Sequence, residues 1–246
     1  MKKNYLILLF FILSSKLIYA QWQQINTPTG GYVRGFLNYD NCIYASTASG
    51  ILVSENNGAT WSFRNNGLGS CDTKSLVQAG GYVYVSTDEN VFRTNNHGNN
   101  WECSGTELKG KYVKTLVSLN NVIFAGTYLS GIYRSTDYGN TWTAVNNGIN
   151  AKYIYWLSTD GVYLYAGTYQ NGIYRSNDMG NTWIPVNNGL TQNSIACIHH
   201  FGGKLFASSI YAGVFVSAFS AGAGVGGFRA AAAKDATLVP IKKDPM

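Results

Sequence analysis

The feature that most constrains the fold is an eight-residue stretch, Ser135-Thr136-Asp137-Tyr138-Gly139-Asn140-Thr141-Trp142, that returns almost unchanged as Ser176-Asn177-Asp178-Met179-Gly180-Asn181-Thr182-Trp183. Looser copies at 54–61 and 94–101 place Asn56 and Asn96 where the first two place Asp137 and Asp178, and they end on Trp61 and Trp101. The copies begin 40, 41 and 41 residues apart. A period of that size marks a repeat architecture, in which one supersecondary unit stacks on the next. The short acidic or amide side chain accepts hydrogen bonds from nearby backbone N–H groups and holds a turn closed. Gly139 and Gly180 suit a positive φ, and each Trp is large enough to anchor one sheet on another.

Each repeat reads as four short strands. In the third they fall at 112–119 (A), 122–127 (B), 132–135 (C) and 142–145 (D), with turns at Asn120-Asn121, at the repeated stretch and at Asn147-Gly148. Alternating and β-branched runs bounded by turn residues are strand signals. Four-stranded units of about 40 residues imply an all-β fold, a β-propeller, in which radial repetition protects the sheet edges. A fifth unit supplies A, B and C over 195–217 but lacks the repeated turn and its Trp. Residues 22–26 resemble the D strands at 142–146 and 183–187, so this N-terminal strand is expected to close the last blade and make five blades. A truncated or open ring is the alternative.

The pattern S-x-D-x-G-x-T-W resembles the Asp-box, or BNR, repeat of sialidases, sortilin-type receptors, xyloglucanases and some photosystem assembly factors. Two copies match it fully and two carry Asn at the acidic position; with its flanks the resemblance covers about residues 22–217. It implies the propeller and says little of activity, because in those families the box lies away from the active face. Where the fold carries sialidase activity, the resemblance implies an Arg triad, a Tyr nucleophile backed by Glu, an Asp acid and an Arg-Ile-Pro stretch near the start. No such stretch is present, and Arg93, Arg134 and Arg175 occupy one repeating position ahead of a box. The sialidase catalytic motifs are therefore not carried over, and no catalytic residue is assigned.

Outside the repeats, residues 1–20 read as a signal peptide. Lys2 and Lys3 precede a short apolar run, and Ile18-Tyr19-Ala20 forms a cleavage site. The run is too short for a comfortable membrane span, so the mature propeller, 21–217, is expected in the periplasm, at the cell surface or secreted. Residues 218–246 read as a Gly/Ala-rich, low-complexity, disordered tail. The formal charge of +6 overstates the basic character: 21–217 hold 11 basic against 10 acidic residues. That balance excludes a general case for nucleic acid. Cys42, Cys71, Cys103 and Cys197 permit three disulfide pairings or none. Neither the Cys nor the His residues form a metal-ligand pattern along the chain, and no cofactor is implied.

Binding is expected on the face shared by the B–C and D–A loops. Tyr128, Tyr169 and Tyr211 follow strand B in their repeats, with Tyr112 and Tyr153 just before strand A. Such tyrosines offer flat amphipathic area for sugars or peptide side chains, although they also suit packing between blades. Arg34, Lys74 and Lys114 stand in one register, 40 residues apart, on the innermost strand, with Tyr155 and Ala196 at the equivalent later positions. A half-basic ring at the channel mouth would favour a carboxylate or another anion. The reading is an exported binding or scaffold module for a protein segment or glycan. The alternatives are a glycoside hydrolase of sialidase-like or xyloglucanase-like type, using a carboxylate pair among Asp72, Asp88, Glu89 and Glu107, and a degenerate repeat protein that binds nothing. The sequence sets no oligomeric state.

Overall fold

The computed structural model describes residues 24, 25, 27, 28, 31–217 and 238–240. The expected signal peptide lies outside the described residues, as do most of the segment 22–26 and of the tail. Among the described residues there is no helix, hence none long and apolar enough to cross a membrane.

Twenty strands form five antiparallel four-stranded sheets, the blades of a β-propeller. Blade one is β1 (Val33–Tyr39), β2 (Cys42–Thr47), β3 (Gly50–Ser54) and β4 (Ser62–Phe63); blade two is β5 (Leu76–Ala79), β6 (Tyr82–Ser86), β7 (Val91–Thr94) and β8 (Glu102–Cys103). Blade three is β9 (Val113–Leu119), β10 (Val122–Thr127), β11 (Ile132–Ser135) and β12 (Thr143–Ala144); blade four is β13 (Ile154–Thr159), β14 (Leu164–Thr168), β15 (Ile173–Ser176) and β16 (Ile184–Pro185). Blade five is β17 (Ile195–Phe201), β18 (Lys204–Ser209), β19 (Gly213–Ser217) and β20 (Leu238–Pro240). The A–B turns are tight because both central residues take positive φ, as at Asn120 and Asn121 (52° and 63°), the geometry that matches strand twist.

The last strand corrects the expectation for the ring. The outer edge of β19 pairs with Leu238–Pro240, Ser217 facing Leu238 and Phe215 facing Pro240, rather than with 22–26; Gln24 and Ile25 lie in no strand. With no fourth strand encoded after Ser217, an apolar, β-branched stretch of the tail can take the edge. A proline is tolerated there because an edge strand leaves some N–H groups unpaired. The four cysteines are all free.

The repeated turn is built as its residue types dictate. Asp137 Oδ1 accepts the Thr141 N–H (3.0 Å) and the Ser135 hydroxyl (2.8 Å), Oδ2 accepts the Thr141 hydroxyl (2.7 Å), and the Gly139 N–H donates to Ser135 Oγ (2.7 Å). Asp178 repeats the set. Asn56 does so with an amide, its Oδ1 accepting from Thr60 N–H (2.9 Å) and its Nδ2 donating to Thr60 Oγ1 (2.8 Å). Burial alone would raise the Asp137 and Asp178 carboxyls, but these hydrogen bonds outweigh it and hold both below the ordinary carboxylate range. A carboxyl lowered in the folded state stabilises the fold above its unfolded pKa of about 3.9, and that contribution is lost as pH falls through the folded value. The double change Asp137→Asn, Asp178→Asn is expected to leave stability at neutral pH within about 1 kcal/mol. It should also flatten the acid limb of a plot of urea midpoint against pH.

Each Trp fastens its blade to the one before. The indole N–H of Trp101 donates to Arg64 O (2.8 Å), that of Trp142 to Ser104 O (2.8 Å) and that of Trp183 to Val145 O (2.9 Å). All three side chains are buried. Trp61, in the first blade, turns instead to Gly58 O of its own turn (3.0 Å) and stays partly exposed. Four apolar clusters result, at the seams one–two, two–three, three–four and four–five; among the described residues none joins blade five to blade one. The repeat arginines act at the same seams: Arg93 reaches Tyr138 O, and Arg134 reaches Met179 O (2.8 Å) and Asn181 Oδ1 (2.9 Å). They are interblade ties, in keeping with a structural rather than ligand-binding part.

Candidate functional site

The B–C and D–A loops do share one face, hydrogen-bonded to each other: Tyr128 N–H donates to Tyr112 O (3.1 Å), Tyr169 N–H to Tyr153 O (3.2 Å) and Ile210 N–H to Ser194 O (3.0 Å). The site on that face is positioned by a β-bulge on the inner strand. In β1, β9, β13 and β17 the pairing skips one residue, and the skipped residues are Arg34, Lys114, Tyr155 and Ala196. The common register seen in the sequence is thus a bulge, a device that re-aims a side chain away from the regular pleat.

Arg34, Lys74 and Lys114 meet in one cavity of about 460 Å³ at the centre, walled by the inner strands of the first four blades. They do not form a bare basic ring. Arg34 pairs with Asp72, stacks on Tyr32 (5.0 Å to the ring centre) and donates to Thr73 O (2.6 Å). Lys74 bridges Asp88 and Asp72, the latter at 3.5 Å. Burial would raise Asp72, but the hydrogen bond from Arg34 and the charges of Lys74 and Arg34 pull its carboxyl below the usual range. Two of the three basic groups are therefore neutralised by carboxylates from loops, where the repeat register gives no warning. Lys114 has no carboxylate within salt-bridge distance among the described residues; its Nζ lies 5.8 Å from the Tyr155 ring centre.

The tyrosines converge more closely than the cations. Tyr128 packs edge-on against Tyr153 (centroids 5.0 Å apart) and Tyr155 (6.4 Å), and Tyr169 lies 6.2 Å from Tyr153 and 5.7 Å from Tyr155. Tyr211, exposed on blade five, is hydrogen-bonded to Tyr169. Burial, then the neighbouring Tyr128, Tyr169 and Tyr211, push the Tyr155 hydroxyl up. The cluster stays neutral at physiological pH. It is open to solvent through Tyr128 and Tyr153, and beside it Leu129, Asn150 and Lys152 line a shallow groove at the third seam. Tyr112 does not join; it lies in another groove with Asp88, Glu89 and Lys109.

Sequence reasoning missed Trp156. The residue after the bulge is Gly35, Ser75 and Thr115 in the first three blades. The Ser75 and Thr115 hydroxyl oxygens accept the Leu116 (3.0 Å) and Leu157 (3.2 Å) N–H groups of the next blade. Blade four puts Trp156 there, half exposed, in the wall of the central cavity. Aligning the repeats on the bulge would have revealed it as the one large residue at a small position among these four.

No family model matches the chain, and no curated protein matches it in sequence. Solved structures do. The extracellular domain of a one-component system from B. thetaiotaomicron superposes with a TM-score of 0.67 at 18% identity, over 80% of this chain and 28% of that one. An ancestral GH74 enzyme gives 0.63 at 18%, over 80% of this chain and 31% of its own. YCF48 bound to D1 peptide gives 0.63 at 18%, over 82% and 68%. The chain thus spans less than a third of the length of the first two. At this level of identity the likeness is one of fold, and what this chain shares with all three is a run of β-propeller blades.

Proposed function

We propose that the protein is an exported binding module that takes an extended protein segment, or a glycan of similar width, across the tyrosine cluster. The observation that carries the reading is the convergence of Tyr128, Tyr153, Tyr155, Tyr169 and Tyr211 from three blades beside Lys114. Rigid aromatic rings with polar tips give contact area at low entropic cost. Lys114 favours an acidic group on the ligand. YCF48, a propeller of similar fold, is seen with a peptide bound, which supports a peptide first. The Asp-box resemblance of the turns and the Lys2–Lys3 start with its apolar run support export of a propeller of this kind. A hydrolase would need one carboxyl that keeps its proton; Asp72 is instead held ionised by Arg34 and Lys74, which speaks against the glycosidase reading.

The test is retention on peptide and glycan arrays, followed by titration of the best ligand. Tyr155→Ala with Tyr169→Ala is expected to weaken binding at least ~10-fold, given about 0.5–1.5 kcal/mol for each aromatic pair lost. Lys114→Ala should weaken acidic ligands more than neutral ones. Equal retention by the variants would overturn the site, and turnover of a glycan on the array would overturn the module.

A further inference from the structure

On the opposite face, the seam between blades one and two departs from the repeat. Cys42 Sγ, His97 Nδ1 and a Glu55 carboxylate oxygen all lie within 4.8 Å of one another. Sγ is 3.1 Å from Nδ1, and Nδ1 is 3.8 Å from Glu55 Oε1. The three come from the start of β2, the turn after β3 and the turn after β7, so no spacing along the chain announces them. A thiolate, an imidazole and a carboxylate are the donor set of a borderline-soft divalent cation. A tetrahedral Zn²⁺ with a Zn–S bond of about 2.3 Å and Zn–N and Zn–O bonds of about 2.0–2.2 Å sets its ligand atoms roughly 3.5 Å apart, close to the spacing found.

Two further observations concern how these atoms are aimed. His97 Nε2 lies 3.1 Å from Asp40 Oδ2. An ionised carboxylate only accepts, so Nε2 carries the proton and Nδ1 turns its lone pair toward Cys42, the carboxylate–histidine arrangement found around metals. Arg64 donates to Glu55 Oε2 (2.9 Å), which leaves Oε1 toward the cluster. Packing does not account for the choice of residues. The position of His97 in the turn carries Asn57, Tyr138 and Met179 in the other copies, and Cys42 answers to Tyr82 and Val122. At the third seam Val122 and Met179 simply pack against the apolar cluster.

We propose that Cys42, His97 and Glu55 bind a Zn²⁺ ion, oriented by Asp40 and Arg64. Zn²⁺ takes the place of the Cys42 thiol proton, which leaves to solvent, so that thiolate and carboxylate balance the ion's two charges. The His97 and Glu55 side chains are 38% and 51% exposed, which leaves a fourth position for water.

The test uses the purified chain, reduced and stripped with a chelator. It is titrated with Zn²⁺ by calorimetry and with Co²⁺ by absorbance. One equivalent of Zn²⁺ is expected to bind, and Co²⁺ should give a thiolate charge-transfer band. Cys42→Ser should abolish that band, and His97→Asn should weaken Zn²⁺ more than ~100-fold, with Asp40→Asn nearer ~10-fold as an outer partner. His97→Asn reproduces the residue at Asn57, where the backbone has the same positive φ (59° against 56°). It therefore decides the matter even if Cys42→Ser fails to fold. Absence of saturable binding, a cobalt complex without the thiolate band, or full affinity in His97→Asn would each overturn the assignment.

Discussion

Trp142→Ala is expected to cost about 3–5 kcal/mol of unfolding free energy, the range for truncating a large buried aromatic. The same change at Trp61 should cost only about 1 kcal/mol. Both tryptophans end the same eight-residue stretch, so propensity and turn chemistry cannot separate them. What separates them is the neighbour. Trp142 is 4% exposed, packs in the cluster between blades two and three, and satisfies its indole N–H on Ser104 O of the preceding blade. Its loss opens a cavity at a seam and leaves that carbonyl unpaired. Trp61 has no blade before it in sequence, leans on Phe36 (6.3 Å between centroids) and bonds only to its own turn. Urea unfolding followed by circular dichroism measures both; equal losses would mean that Trp61 is as deeply seated as the others.

Gly148→Ala is expected to cost about 3 kcal/mol, of which about 1–2 kcal/mol is left-handed strain and the rest forced repacking. Gly148 has φ of 84°, and an added Cβ would fall far inside van der Waals contact with the Trp183 carbonyl oxygen. The obstacle is backbone, in the segment where Asn147 O accepts the Trp183 N–H (2.9 Å), so it cannot rotate away. Gly161 is the control: φ is 91°, yet nothing lies within 4 Å of an added Cβ. Gly161→Ala should cost only the conformational part, about 1 kcal/mol. A pair of melting curves compares them, and equal shifts would discount the close approach.

The Asn-Asn-Gly exits thus have a part that the sequence displayed without explaining. In each, the first Asn reaches across its own blade, Asn146 Oδ1 accepting the Ile132 N–H (2.7 Å) and Asn187 Oδ1 the Ile173 N–H (2.6 Å). The second presents its carbonyl to the next Trp, and the Gly makes room. Local signals of this kind made the strand order and the turn positions of the blades legible, because turn chemistry and alternation act over a few residues. The site was half legible. The register of Arg34, Lys114 and Tyr155 was visible as spacing, but its cause, a bulge, is a property of pairing. The neutralisation of Arg34 and Lys74 by Asp72 and Asp88 was hidden because loop residues obey no period. The cysteine–histidine–glutamate cluster was hidden for a different reason: its members meet only when two units dock. The closing strand was misplaced because resemblance to a D strand recommended 22–26, while the free edge of β19 accepts any short apolar segment within reach.

The seams have a consequence for how the molecule comes apart. Each blade is held through the tryptophan, arginine and hydroxyl ties of its immediate neighbours, so stability accumulates pairwise as in a one-dimensional array. Amide protons of β9 to β11 and β14, with packed partners on both sides, should exchange with deuterium last. Those of β1 and β19 should exchange first, as outer coaches uncouple before the middle of a train.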